Sequence, residues 1–195
     1  MNNLPIIHSK IPGPRSKAHL RALRRVECPH ITYADRDFPV VIEKARGVTV
    51  TDVDGNRYLD MTSAFGVCNL GHTPDFLQRA IRQQIRSAWH AMGDVHPHRN
   101  KAECAKLLVS FLPPGLSQVI FSSSGSEAVE SALKTAFMYN HRPGVIAFTG
   151  AYHGLGYGAL QATHRKYFRE PFIFQTGSFV RFAPYIEEGK CSEKE

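Results

Sequence analysis

Gln118-Val119-Ile120-Phe121-Ser122-Ser123-Ser124-Gly125-Ser126-Glu127-Ala128 passes from a β-prone apolar run into a helix across a cluster of hydroxyl side chains and one glycine. A strand, a Ser/Gly turn and an amphipathic helix are the parts of a phosphate cup. The first turn of a helix has backbone N–H groups with no intrahelical acceptor and a partial positive charge. Gly125 lets the backbone come close to an anion, and serine hydroxyls can donate further hydrogen bonds. The same residues would equally serve as a simple N-cap.

The neighbouring sequence places this turn in an α/β frame. A helix is predicted over 99–112, ended by Pro113-Pro114-Gly115. A strand over 118–122 and the helix after Gly125 follow, then a strand over 144–149 and the loop 150–156. This alternation predicts a largely parallel sheet covered by helices. Ligands of such sheets bind beyond the carboxyl ends of the strands, so Tyr152 and His153 on that loop should face the same crevice as Gly125. An aromatic ring beside a phosphate cup suits a planar cofactor. Neither an ATP-type P-loop nor a dinucleotide fingerprint is present.

Upstream, residues 1–14 read as an extended Pro/Gly arm and 16–26 as a basic helix with Ser16 as its cap. A β-prone run lies at 40–43. Asp54-Gly55-Asn56 separates two alternating runs, 48–53 and 57–61, and predicts a hairpin. Asp52, Asp54 and Asp60 read as hairpin-shaping residues, not general acids. A helix is predicted over 74–92, with Phe76, Leu77, Ala80, Ile81, Ile85, Ala88 and Trp89 on one apolar face.

Composition narrows the function classes. The 195 residues carry a net charge of +7, with 43% hydrophobic and 21% charged residues, values of a globular chain long enough to bury a core. The basic excess is not interleaved with aromatics and matches no nucleic-acid-binding signature, so nucleic acid is not an expected partner. No apolar run is of bilayer-spanning length and no secretory leader is recognised, from which a cytoplasmic, non-membrane protein is expected. Cys28, Cys68, Cys104 and Cys191 form no C-x-x-C pair and read as buried or free thiols. His96 and His98 have no accompanying carboxylate or thiol cluster, and no metal is expected.

Four stretches together resemble the N-terminal part of a class III (ornithine and 4-aminobutyrate type) pyridoxal-phosphate-dependent aminotransferase. They are Val50-Thr-Asp-Val-Asp-Gly-Asn-Arg-Tyr-Leu-Asp60, Asn69-Leu-Gly-His72, Phe121-Ser-Ser-Ser-Gly-Ser-Glu-Ala128 and Ala147-Phe-Thr-Gly-Ala-Tyr-His-Gly154. Their order and spacing agree over residues 35–185, and Ile11-Pro-Gly-Pro-Arg-Ser16 resembles leaders of the 4-aminobutyrate branch. The resemblance implies a partial α/β fold of type I: an arm and helix over 1–35, a hairpin segment of the smaller domain over 36–72, and an incomplete large domain with a mostly parallel sheet over 73–195. It implies pyridoxal 5'-phosphate as cofactor. Gly125 and Ser126 would hold the phosphate beside Ser124, Tyr152 would stack on the pyridine ring, and His153 would support that loop. Ser63, Phe65 and Val67 would approach the substrate side. Ser126 replaces the family's usual threonine and keeps its hydroxyl, whereas Val129 replaces a frequent asparagine.

The implied reaction moves an amino group between an amine or ω-amino acid and a 2-oxo acid, in a homodimer. It needs a Schiff-base lysine and an aspartate that keeps the pyridine nitrogen protonated. No aspartate follows Asp94, and the lysines beyond Tyr152 are Lys166, Lys190 and Lys194, none of which matches the family lysine in position. The chain is therefore expected to be an N-terminal fragment without catalytic residues of its own. A catalytically inactive cofactor- or phosphate-binding or interaction module of the same fold is the alternative.

Overall fold

The structure is a computed structural model that describes residues 5–29, 31–34 and 37–185. The polar tail, with Lys190, Cys191 and Lys194, lies outside them. The chain forms two compact units, Met1–His96 and Pro97–Glu195.

The first unit is built on the hairpin. Strands β2 (Thr49–Asp52) and β3 (Arg57–Leu59) pair antiparallel, and β1 (Ile42–Arg46) pairs antiparallel with β2, giving a three-stranded sheet in the order β1-β2-β3. The β-prone run at 40–43 thus extends into a third strand. Gly55 takes φ +89° in the turn, the left-handed position that a β-carbon makes costly. Asp52 organises this turn from within. It is buried, and its carboxylate accepts the N–H of Asp54 (2.9 Å) and of Asn56 (2.8 Å), the Asn56 amide (2.8 Å) and the Tyr58 hydroxyl (2.7 Å). Burial, followed by this bond to Asp52, pushes the Tyr58 phenol up to about 12.

The turn also caps a helix distant in sequence. Helix α1 (Pro14–Val26) starts two residues before the expected Ser16. Its cap is Asp54, whose carboxylate accepts the N–H groups of Arg15 and Ser16, both at 2.8 Å. Ser16 lies inside the first turn, where a carboxylate from another segment does better than its own hydroxyl. The arm before α1 runs beside β3, with Ile6 and Arg57 exchanging backbone bonds of 3.0 and 2.7 Å.

After β3, residues 60–72 form a loop closed by Asp60 and His72, with Nε2 2.7 Å from Oδ2. Asp60 also accepts from Thr62 N–H and Oγ1 and from Ser63 N–H. The His72 bond, then the Thr62 bonds, hold the Asp60 carboxyl down at about 2, below its ordinary 3.8. A depressed carboxyl stabilises the fold above its unfolded value and ceases to do so as pH falls through the folded one. The Asp60 contribution is therefore intact above pH 3.8 and lost on acidification toward about 2. A carboxyl carbon titration of Asp60 by NMR should show a midpoint near 2, and Asp60→Asn should lose less stability than the wild type between those limits. An ordinary midpoint would contradict the loop closure.

Helix α2 (Asp75–Ser87) ends earlier than its apolar periodicity predicts. Ala88 is extended, Ser87 Oγ donates to the Gln84 carbonyl, and the Gln84 amide donates to the Ala88 carbonyl. Trp89 does not continue the helix core; it is 81% exposed. The reason is packing: an apolar stripe extends a helix when it has something to pack against. Here Phe76, Leu77, Ile81 and Ile85 each remain about half exposed.

The second unit contains helices α3 (Arg99–Ser110) and α4 (Gly125–Asn140), then strand β4 (Val145–Phe148). Short helices α5 (Tyr157–Ala162) and α6 (Lys166–Arg169) and a 3-10 turn (Glu170–Phe172) lead to strand β5 (Val180–Ala183). β4 and β5 are parallel, with Val145 opposite Val180 and Phe148 opposite Ala183. The core of this unit is Ala147, Ala162 and Val180, against which Val145, Phe179 and Phe182 pack. His98 is the N-cap of α3, its Nδ1 accepting from Asn100 N–H, as a helix-entry histidine.

Residues 118–122 correct the sequence reading: they carry no strand ladder. A parallel strand exists through bonds to its neighbours. Among the described residues none runs alongside this run, and Ile120 and Phe121 stay exposed. No helix among the described residues is long and apolar enough to cross a membrane.

Candidate functional site

The start of α4 is closed by its own side chains on one side and open on the other. Ser124 is the N-cap in extended geometry, and its Oγ accepts the Glu127 N–H at 3.2 Å. The Glu127 carboxylate turns back to accept the Ser123 N–H at 2.8 Å. This reciprocal arrangement is close to a capping box, so the N-cap reading of the cluster holds for Ser124. It does not use the whole turn. The N–H groups of Gly125 and Ser126 have no acceptor among the described residues. Gly125 is exposed and a β-carbon there would meet open space, so the turn is uncovered at that residue. Two free N–H groups at the positive end of a sixteen-residue helix form a donor set for an anion.

The loop after β4 lies against the same helix turn. Ser126 Oγ accepts the Gly156 N–H at 3.0 Å, which leaves the hydroxyl proton available to a ligand. Gly154 takes φ +125°, and a β-carbon there would stand 2.5 Å from Ser126 Oγ. The structure therefore brings Ser126, with Gly125 next to it in the chain, against the 150–156 loop beyond the carboxyl end of β4.

Tyr152 is 54% exposed, and its ring meets Phe168 edge-on at 5.7 Å between centroids. The His153 N–H donates to Thr163 Oγ1 at 2.9 Å. Thr163 is fully buried, and its hydroxyl lies 3.0 Å from the Gly154 carbonyl and 3.1 Å from that of Ala159. His153 thus belongs to a loop pinned through its backbone by Thr163. Sequence reading missed Thr163, and it also missed Glu130, whose Oε1 accepts the Ala159 N–H at 2.8 Å. Glu130 had one legible signal: it stands four residues after Ser126, on the same helix face.

Ser63, Phe65 and Val67 belong to the first unit, on the loop that Asp60 and His72 close. Ser63, Ala64 and Phe65 all have positive φ (48, 50 and 57°), and the Phe65 and Val67 side chains are exposed. Three successive non-glycine residues in this region carry backbone strain, a feature that clusters at functional sites. Among the described residues no group of histidine, cysteine and acidic side chains could hold a metal ion.

The donor set of the second unit fits a phosphate monoester: two free N–H groups, one hydroxyl and a helix dipole. Beside it lies a loop bearing an exposed aromatic ring. Comparison with known proteins bears on the choice of ligand. A model of the family described as aminotransferase class-III matches residues 31–195. The acetylornithine aminotransferase of Methanopyrus kandleri is 37% identical over 135 residues, 69% of this chain and 34% of its own length. That of Listeria innocua is 35% identical over 159 residues, 80% of this chain and 39% of its own. Among solved structures, a thermostable (S)-enantioselective omega-transaminase from Thermomicrobium roseum superposes with a TM-score of 0.75 at 29% identity, covering 86% of this chain and 40% of that one. Taurine:2-oxoglutarate aminotransferase from Bifidobacterium kashiwanohense, solved with PLP and glutamate, gives 0.76 at 25% identity, covering 87% and 38%. The chain spans about two-fifths of the length of the relatives it matches.

Proposed function

Because the chain belongs to the class III aminotransferase family, whose cofactor is pyridoxal 5'-phosphate, we propose that it supplies the phosphate-binding part of such an enzyme's active site. The observation that carries this reading is the pair of unpartnered N–H groups on Gly125 and Ser126, joined to the Tyr152 loop through Ser126 Oγ. Gly125, Ser126 and the adjoining Ser124 hold the phosphate; Tyr152 covers the ring face; His153 and Thr163 fix that loop. When bound, the cofactor supplies an electron sink for amino-group transfer. This chain's residues bind and orient it.

The substrates we assign are an amine or ω-amino acid donor and a 2-oxo acid acceptor, with Ser63, Phe65 and Val67 on the substrate side. The 195 residues carry no lysine or aspartate that matches the family's two reacting side chains, so we assign no turnover to this chain by itself. The half-exposed apolar face of α2 and the exposed Ile120 and Ile146 support a setting in which further polypeptide covers them: more of the same fold, or a second subunit of a homodimer.

The test is to assay the purified chain with a panel of amine donors and 2-oxo acids, and to measure pyridoxal 5'-phosphate binding in parallel. Cofactor binding that inorganic phosphate displaces, without amino transfer, is the expected outcome. Turnover by this chain would overturn the assignment.

A further inference from the structure

Three glycines at alternate positions, Gly154, Gly156 and Gly158, face two side chains one turn apart on α4. A β-carbon on Gly154 would collide with Ser126; on Gly156 it would stand 2.9 Å from Glu130 Oε1 and 3.1 Å from Ser126 Oγ; on Gly158, 2.8 Å from Glu130 Oε2. Two hydrogen bonds cross this contact. Ser126 Oγ takes the Gly156 N–H (3.0 Å), and Glu130 Oε1 takes the N–H of Ala159 (2.8 Å), the third residue of α5. Gly156 is the N-cap of α5 and offers no side-chain cap of its own. Glu130 therefore does for α5 what a capping side chain does, from a neighbouring helix.

The consequence concerns two parts of one site. The anion-binding N–H groups are fixed to α4, while Tyr152 rides on the loop that runs into α5. Ser126 bridges the two at its tip, but its hydroxyl is shared with the ligand. Glu130 lies one turn behind, away from the ligand-binding N–H groups, and its carboxylate fits into the space left by Gly156 and Gly158. We propose that Glu130 is a positioning residue: by clamping the start of α5 to α4 it sets where the Tyr152 loop stands relative to the phosphate cup. This inference rests on the cup reading above, and concerns registration of ring and phosphate contacts, not contact with either.

Its test separates the clamp from the cup. In the ligand-free chain, Glu130→Ala should speed hydrogen exchange at the Ala159 amide about tenfold, the loss of one cap. Glu130→Gln retains an acceptor oxygen and should restore the protection. Affinities are then measured for inorganic phosphate, which needs the cup alone, and for pyridoxal 5'-phosphate, which needs cup and loop in register. Glu130→Ala should weaken the second about tenfold and change the first less than about twofold, with Glu130→Gln near wild type. Gly158→Ala keeps the carboxylate but displaces it, and should reproduce the same split if Glu130→Ala does not fold. Equal weakening of both ligands would reduce Glu130 to a general structural role and overturn the inference. So would an unchanged pyridoxal 5'-phosphate affinity beside faster Ala159 exchange. A wild-type chain that protects Ala159 yet binds neither ligand overturns the cup reading, and the positioning role with it, while leaving the clamp itself intact.

Discussion

Gly125→Asp should leave the chain folded and abolish the phosphate-monoester binding proposed for the start of α4. A β-carbon at Gly125 meets no atom within contact distance, and Gly125 has no positive φ that would resist substitution. An aspartate in the first turn of a helix interacts favourably with the helix dipole, so melting should shift slightly upward, by about 0.3–1 kcal/mol in stability. The same carboxylate stands where the ligand anion would sit. Two like charges about 4 Å apart near a protein surface repel by about 4 kcal/mol, which is roughly a thousandfold in affinity. Isothermal titration with pyridoxal 5'-phosphate checks the binding and a thermal melt checks the fold. Retained affinity in a folded Gly125→Asp chain would place the phosphate elsewhere.

Asp52→Ala should produce the largest loss of stability in the first unit. The buried carboxylate satisfies two backbone N–H groups, the Asn56 amide and the Tyr58 hydroxyl, and the Asn56 side chain is itself fully buried. Truncation leaves these donors facing a void, at a cost of about 3–5 kcal/mol. The effect should spread. Asp54 caps α1 from the turn that Asp52 shapes, so loss of Asp52 should also fray the start of α1. Hydrogen exchange at the Asp54 and Asn56 amides should rise together with exchange at Arg15 and Ser16. Asp52→Asn keeps an acceptor for the backbone donors and should cost less. Exchange confined to the turn would show that the cap is independent of it.

The features legible in the sequence were those set by local chemistry. Asp-Gly at 54–55 specified the turn, Pro113 and Pro114 ended α3's stretch, and the Ser/Gly cluster marked the start of α4. The Asp-Gly turn and the Ser/Gly cluster also lie within two of the four stretches that carry the family resemblance. What escaped was set by partners distant in sequence. Asp54 displaced Ser16 as the cap of α1 because two turns of chain meet across 38 residues. The run 118–122 has strand composition but no neighbour to pair with among the described residues. The α2 periodicity promised Trp89 a core that no packed surface among the described residues supplies. Glu130 and Thr163 were invisible for the same reason, since each acts on backbone groups of another segment.

In the proposed arrangement the cofactor's phosphate is held at the start of α4. This placement is tested most directly by following assigned backbone amides by NMR while the chain is titrated with pyridoxal 5'-phosphate, inorganic phosphate and pyridoxal. Gly125 and Ser126 are expected to shift furthest with the first two ligands and to stay in place with pyridoxal at equal concentration. Shifts centred instead on the basic cleft lined by Lys17, Arg21 and Arg24, or equal shifts with pyridoxal, would contradict it.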